Sequence, residues 1–186
     1  LEGFNTEFDE HSASLSDDEL TMYFDRRDQS QRYRIFAARR PAADAPFAEA
    51  APIALGDGTD SEVEPFITPD GLFFASRRSN GSARLFAAAG RGVTFAPPRQ
   101  LMAVEMQPFT TTLETPVVSF DGLTIYFSAL PDPASPRDIW MASRPDVDQV
   151  FGAPRPIAAL NTPSDDRPTW ISEDNCRLYF LTNRAG

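Results

Sequence analysis

The chain has 186 residues, 41% of them hydrophobic and 11% aromatic, which is enough for one domain with a sizeable core. Its formal charge is −10, from 27 acidic residues against 17 basic ones, all of them arginine; that balance argues against nucleic acid as a partner, because phosphate binding needs a basic face. A single cysteine excludes an intrachain disulfide, and no apolar run reaches the length of a membrane span.

In chain order, the first strong signal is SDDELTMYF at 16–24, followed by RIF at 34–36 and Phe47. The second is TPDGLFF at 68–74, followed by RLF at 84–86 and Phe95. The third is SFDGLTIYF at 119–127, then DIW at 138–140 and Phe151, and the fourth is SEDNCRLYF at 172–180. The shared aspartates are Asp18, Asp70, Asp121 and Asp174, spaced 52, 51 and 53 residues apart. An acidic stretch precedes each one, with Pro65, Pro116 and Pro168 in the last three repeats and Ser12 taking that place in the first. Internal periods of this length are the mark of repeat architectures.

Each repeat reads as four strands. In the third these are Pro116–Ser119, Leu123–Ser128, Asp138–Ala142 and a strand around Pro156–Leu160. Asp-Gly between the first two makes a tight hairpin. Glu19 stands where that glycine is expected, so the first turn is expected to differ. Adjacent aromatics such as Tyr126 and Phe127 imply a sheet buried on both faces. The fold class is therefore all-β, a β-propeller of about three and a half four-stranded blades, part of a larger or oligomer-completed propeller. The whole chain, 1–186, forms one unit with repeats at 5–56, 57–108, 109–160 and 161–186. A β-sandwich also has many short strands, but it predicts no fifty-residue self-similarity.

Pro116, the Ser119-x-Asp121-Gly122 turn, the Tyr126-Phe127 strand and Asp138-Ile139-Trp140 resemble the WD-like propeller repeat of the TolB type. The resemblance covers essentially the whole chain. It implies a propeller that lies outside the cytoplasm and binds proteins, or that serves as the non-catalytic domain of a larger enzyme. Leu1 at the start is what a mature secreted protein or an excised domain shows.

The acids Asp9, Glu10, Asp57, Asp60, Glu62, Glu114, Asp165 and Asp166 enter the innermost strands and gather at one channel mouth. A carboxylate ring there is a candidate for calcium, and two acids could perform glycoside hydrolysis. Their recurrence at repeat positions favours pairing with the arginines after the second strand, Arg26, Arg27, Arg77, Arg78 and Arg184, for instance Asp165 or Asp166 with Arg184. Cys176 aligns with Leu20 and Leu123 and reads as a buried thiol. Trp170, in an innermost strand, reads either as core filling or as a ring lining the channel. The repeat breaks at 102–113, which offers Met106 and Phe109, and at 130–137, which replaces the arginine-bearing loop.

The expected function is a non-enzymatic binding scaffold, periplasmic or extracellular, that presents a loop face to a protein or glycan. Its binding candidates are Met106, Phe109, Trp170, Asp165, Asp166, Arg78 and Arg184. The alternative is the propeller domain of a carbohydrate-active or peptidase enzyme with an acidic channel mouth. Open blade edges add a homo-oligomer to the expected partners.

Overall fold

The computed structural model describes residue 4 and residues 6–56, 58–78, 82–101 and 112–184. Among these every regular element is a strand. The first sheet holds β1 (Glu10–Leu15), β2 (Thr21–Arg27), β3 (Tyr33–Arg39) and β4 (Ala51–Pro52), in that order. The second holds β5 (Glu62–Thr68), β6 (Gly71–Ser76), β7 (Arg84–Ala88) and β10 (Arg99–Gln100), with β8 (Gly90–Arg91) and β9 (Thr94–Phe95) as a side hairpin. The third holds β11 (Leu113–Val118), β12 (Thr124–Ala129), β13 (Asp138–Ser143) and β14 (Arg155–Pro156). The last pairs β15 (Asp166–Ile171) with β16 (Leu178–Thr182). Contacts pass from sheet to sheet in chain order, through β1 and β5, β5 and β11, and β11 and β15.

The turns between first and second strands show why the aspartates recur. Asp121 Oδ1 accepts from the Ser119 hydroxyl at 2.5 Å and from the Leu123 N–H at 2.9 Å. Asp18 does the same with Ser16 and Leu20, and Asp174 with Ser172 and Cys176. The serine hydroxyl holds the departing strand in all three, accepting from Thr21, Thr124 and Arg177 N–H at 2.9 Å. The residue after the aspartate is left-handed: Glu19 at φ 58°, Gly122 at 71° and Asn175 at 57°. The turn expected to differ, at Glu19, is thus the same turn as the third and fourth. The one that departs is the second, where the sequence is two residues shorter and Thr68 pairs directly with Gly71. Loop length, not glycine, decides the turn. Replacing Asp121 by alanine is expected to cost about 1 kcal/mol, the hydrogen bonds from Ser119, Leu123 and Asn175 at a largely exposed turn being lost, as read by urea denaturation.

The first strands share a second irregularity. The register of β1 slips between His11 and Ser14, that of β5 between Val63 and Phe66, and that of β11 between Glu114 and Val117. Ser12, Glu64 and Thr115, at these bulges, are left-handed, with φ from 49° to 58°. The register corrects the sequence alignment: Ala13, not Ser12, stands where Pro65 and Pro116 stand, and Pro168 matches Ser12, Glu64 and Thr115.

Both-face burial is clearest in β6, buried along its whole length. Phe74 joins Tyr23, Ile35 and Ile53 of the first sheet, while the adjacent Phe73 joins Val117, Ile125 and Phe127 of the third. Burying a Phe or Ile contributes about 1.5–3 kcal/mol each, so these inter-sheet layers hold the sheets together. Trp140 is buried opposite Phe127 and Phe86 opposite Phe74, and Phe36 is half-buried opposite Phe24. The last sheet has no described neighbour on its far side. Cys176, expected to be buried, is exposed in its turn. Its counterparts Leu20 and Leu123 are themselves only half-buried, because the position belongs to the turn and not to the strand.

Candidate channel-mouth site

The first strands β1, β5, β11 and β15 line a cavity of about 810 Å³. Phe66, Phe120, Glu64, Arg167, Trp170 and Thr115 contribute to its wall. The outward-splayed bulges set the geometry at its acidic end. Because Glu64 is left-handed, its N–H leaves the ladder and donates to Asp25 Oδ1 of the first sheet at 3.0 Å. The Thr115 N–H, at the same kind of bulge, donates to Glu64 Oε2 at 2.6 Å. A carboxylate of one sheet thus accepts a bulge N–H of the next. Pro168 has no N–H to continue the series. There Arg137 takes over, reaching Glu114 at 3.0 Å and Asp165 at 3.6 Å, while Asp165 accepts the Arg137 N–H at 2.9 Å.

Electrostatics follow from this crowding. Burial pushes the Glu64 carboxyl up to about 7, helped by the neighbouring Glu114 and Asp25 carboxylates and opposed by the Thr115 N–H. Burial likewise raises Asp25, against the Glu64 N–H and His11, whose Nδ1 lies 3.6 Å away. Asp165 is held below the usual range, first by the Arg137 N–H and also by the Arg137 and Arg167 charges. In Asp166 burial acts upward but is outweighed by hydrogen bonds from Thr182 and Thr162, so its carboxyl is lowered.

Four of the acids singled out from sequence meet arginines singled out with them, while Glu114 and Asp165 meet Arg137 instead and Asp57 lies outside the described residues. Asp166, fully buried, accepts the Thr162 N–H and hydroxyl at 2.7 and 2.8 Å and meets Arg184 at 3.3 Å. Arg78 bonds Glu62, whose side chain is 5% exposed, and caps the Leu55 carbonyl at 3.2 Å. Arg27 meets Asp9, and Arg26 meets Glu10, each at 2.9 Å. Glu10, Glu62 and Asp166 occupy one register position; in the third sheet it holds Leu113, and the 130–137 segment supplies Arg137 instead.

Trp170 is different. It is 45% exposed, stands on the cavity wall and packs on Tyr179 with ring centroids 5.4 Å apart. Among the described residues the indole therefore lines the cavity and does not fill a core: its register equivalents Phe66 and Val117 are buried in the layers between sheets, whereas no described sheet packs on Trp170. Met106 and Phe109 lie outside the described residues. Among the described residues, no three His, Cys, Asp or Glu side chains converge as metal ligands. Sequence reasoning missed Asp25 and the distinct role of Glu64. A signal for Asp25 was present, since the other repeats carry Ala75, Ser128 and Leu181 at its place.

No family model matches the sequence, and no curated protein is similar to it. Solved structures are similar in fold. A TolB protein from Agrobacterium tumefaciens superposes with a TM-score of 0.64 at 17% identity, over 96% of this chain and 56% of its own. TolB from Acinetobacter baumannii superposes at 0.55 and 14% identity, over 94% and 43%. The chain thus spans about half the length of these proteins, and its fold is that of the TolB-type propeller.

Proposed function

We infer from the TolB-type propeller fold that this chain is a non-enzymatic scaffold that binds a protein partner at the cavity formed by its first strands. The observation that carries this reading is Trp170, an exposed aromatic on a cavity wall that also holds Glu64, whose Oε2 already accepts the Thr115 N–H. Exposed aromatics anchored beside satisfied charges suit a protein surface. The unit is read as one propeller, with repeats at 5–56, 57–108, 109–160 and 161–186, belonging to a larger or oligomer-completed ring, and placed in the periplasm or outside the cell. A glycan partner and a calcium ion at the carboxylates are weaker readings, because both oxygens of Asp165 and of Asp166 and the Oε2 of Glu64 are already engaged. The enzyme alternative would rest on the acidic mouth alone.

The test is photo-crosslinking in the source cell with a photoreactive phenylalanine at position 170. A discrete protein adduct is expected there and not from position 155 on the outer strand β14. Adducts equal at both positions, or turnover of glycosides or peptides that Glu114→Gln abolishes, would end this proposal.

A further inference from the structure

We propose that the cleft between the second and third sheets, at their turn ends, binds a small zwitterion of the α-amino acid class, with its carboxylate on Arg144 and its ammonium on Asp70. The cleft has a volume of about 240 Å³ and is walled by Asp70, Phe73 and Arg99 of the second sheet and by Arg144, Val147 and Asp148 following β13. Both of these sheets have all four strands, and none of these residues lines the cavity of the first strands.

Arg144 has a counterpart within the chain. Arg40, following β3, donates from Nε to the Glu19 carbonyl at 2.7 Å and lies 4.6 Å from the Phe47 ring centroid. Arg144 donates from Nε to the Gly122 carbonyl at 2.7 Å and lies 4.5 Å from the Phe151 centroid. The difference is the counter-ion. Arg40 Nη2 meets the Glu19 carboxylate at 3.5 Å. Gly122 stands at the place of Glu19, so the turn of the third sheet supplies no carboxylate. Arg144 is nonetheless only 6% exposed. Its Nη1 donates to the Val147 carbonyl at 2.7 Å, whereas among the described residues Nη2 has neither a hydrogen bond nor an ion pair. A charge this enclosed gains strongly from an opposite one.

Asp70 supplies the other pole. Asp18, Asp121 and Asp174 hold their own turns, but the second turn closes through Thr68 and Gly71, and among the described residues the Asp70 carboxylate accepts no hydrogen bond. A Cβ on Gly122 would stand 2.9 Å from Asp70 Oδ2 and 3.4 Å from Arg144 Nη2, so the bare glycine is what leaves space beside both groups. Burial lowers the pKa of the Arg144 guanidinium and the Arg99 charge adds to this, while Asp70, Asp146 and Asp148 oppose it. Arg99 and Arg144 repel a simple cation, and Asp70 and Asp148 repel a multiply charged anion. A ligand with one charge of each sign satisfies both pairs. The cleft is smaller than the about 300–1,000 Å³ of drug-sized sites, which restricts the ligand to a few heavy atoms.

The test is calorimetric titration of the 186-residue chain with glycine, acetate and glycerol in low-salt buffer. Glycine is expected to bind with a dissociation constant on the order of 1 mM, acetate at least about tenfold more weakly, and glycerol more weakly still. Asp70→Asn, at an exposed position that holds no turn, is expected to weaken glycine at least about tenfold and to leave acetate unchanged. Gly122→Glu restores the carboxylate that Glu19 supplies at the same left-handed position, and is expected to abolish glycine binding. The proposal is overturned if the wild type does not bind glycine, if acetate or glycerol binds as tightly, if Asp70→Asn leaves glycine binding unchanged, or if a folded Gly122→Glu protein still binds it. If Gly122→Glu does not fold, Asp70→Asn decides alone. None of these outcomes involves the cavity of the first strands, so they leave the reading of Trp170 untouched.

Discussion

Replacing Arg78 by alanine is expected to destabilise the protein by about 3–5 kcal/mol at neutral pH, the usual cost of stranding one member of a buried ion pair. Glu62 and Arg78 side chains are 5% and 20% exposed, so solvent offers the carboxylate little compensation. Burial already raises the Glu62 carboxyl even with Arg78 opposing it. Without Arg78 it rises further, and the mutant can escape part of the penalty by protonating Glu62. The loss should therefore shrink as pH falls toward 4. Chemical denaturation at pH 7 and pH 4 measures both arms, and a loss below about 1 kcal/mol at pH 7 would show the pair to be dispensable. The double replacement Arg78→Met with Glu62→Leu should recover most of the stability, because a packed apolar pair serves as well as a buried ionic one.

Glu64→Gln is expected to stabilise the chain by about 3 kcal/mol above pH 8 and by almost nothing near pH 4, since each unit of pKa shift corresponds to about 1.4 kcal/mol. The folded carboxyl sits at about 7 against an ordinary value of 4.5. Glu64 thus contributes most favourably below pH 4.5, and that contribution is lost as pH rises through 7, where the fold must hold an ion beside Glu114 and Asp25. Glutamine keeps an acceptor for the Thr115 N–H and carries no charge. The difference between wild-type and mutant stability curves isolates this group from Asp165 and Asp166, whose lowered carboxyls act in the opposite sense at more acidic pH. A difference that stays flat from pH 4 to pH 8 would refute the raised pKa.

Repeats were legible because side-chain chemistry recurs wherever the backbone does. The spacing of Asp18, Asp70, Asp121 and Asp174 located four turns, and the aromatic pairs located strands buried on two faces. The acids and arginines were recognisable as partners by class, and Asp166 does meet Arg184. What stayed hidden depends on neighbours absent from the local pattern. Trp170 and Cys176 look like core residues by alignment, yet no described sheet packs on Trp170, and Cys176 belongs to a turn whose counterparts Leu20 and Leu123 are only half-buried. The role of Glu64 depends on a bulge that turns its N–H toward another sheet, and period-two reasoning has no place for a residue that breaks the period.

Among the described residues the main contacts run from each sheet to the next, which gives the molecule the statistical mechanics of a one-dimensional array. In such an array order is transmitted through interfaces in series, and the correlation between two sheets falls with every interface between them. The layer that joins Phe74 to Tyr23 and the layer that joins Phe73 to Ile125 are then separate couplings, each able to weaken without the other. A ligand that fastens β15 and β16 would raise the order of the third sheet strongly and that of the first only faintly.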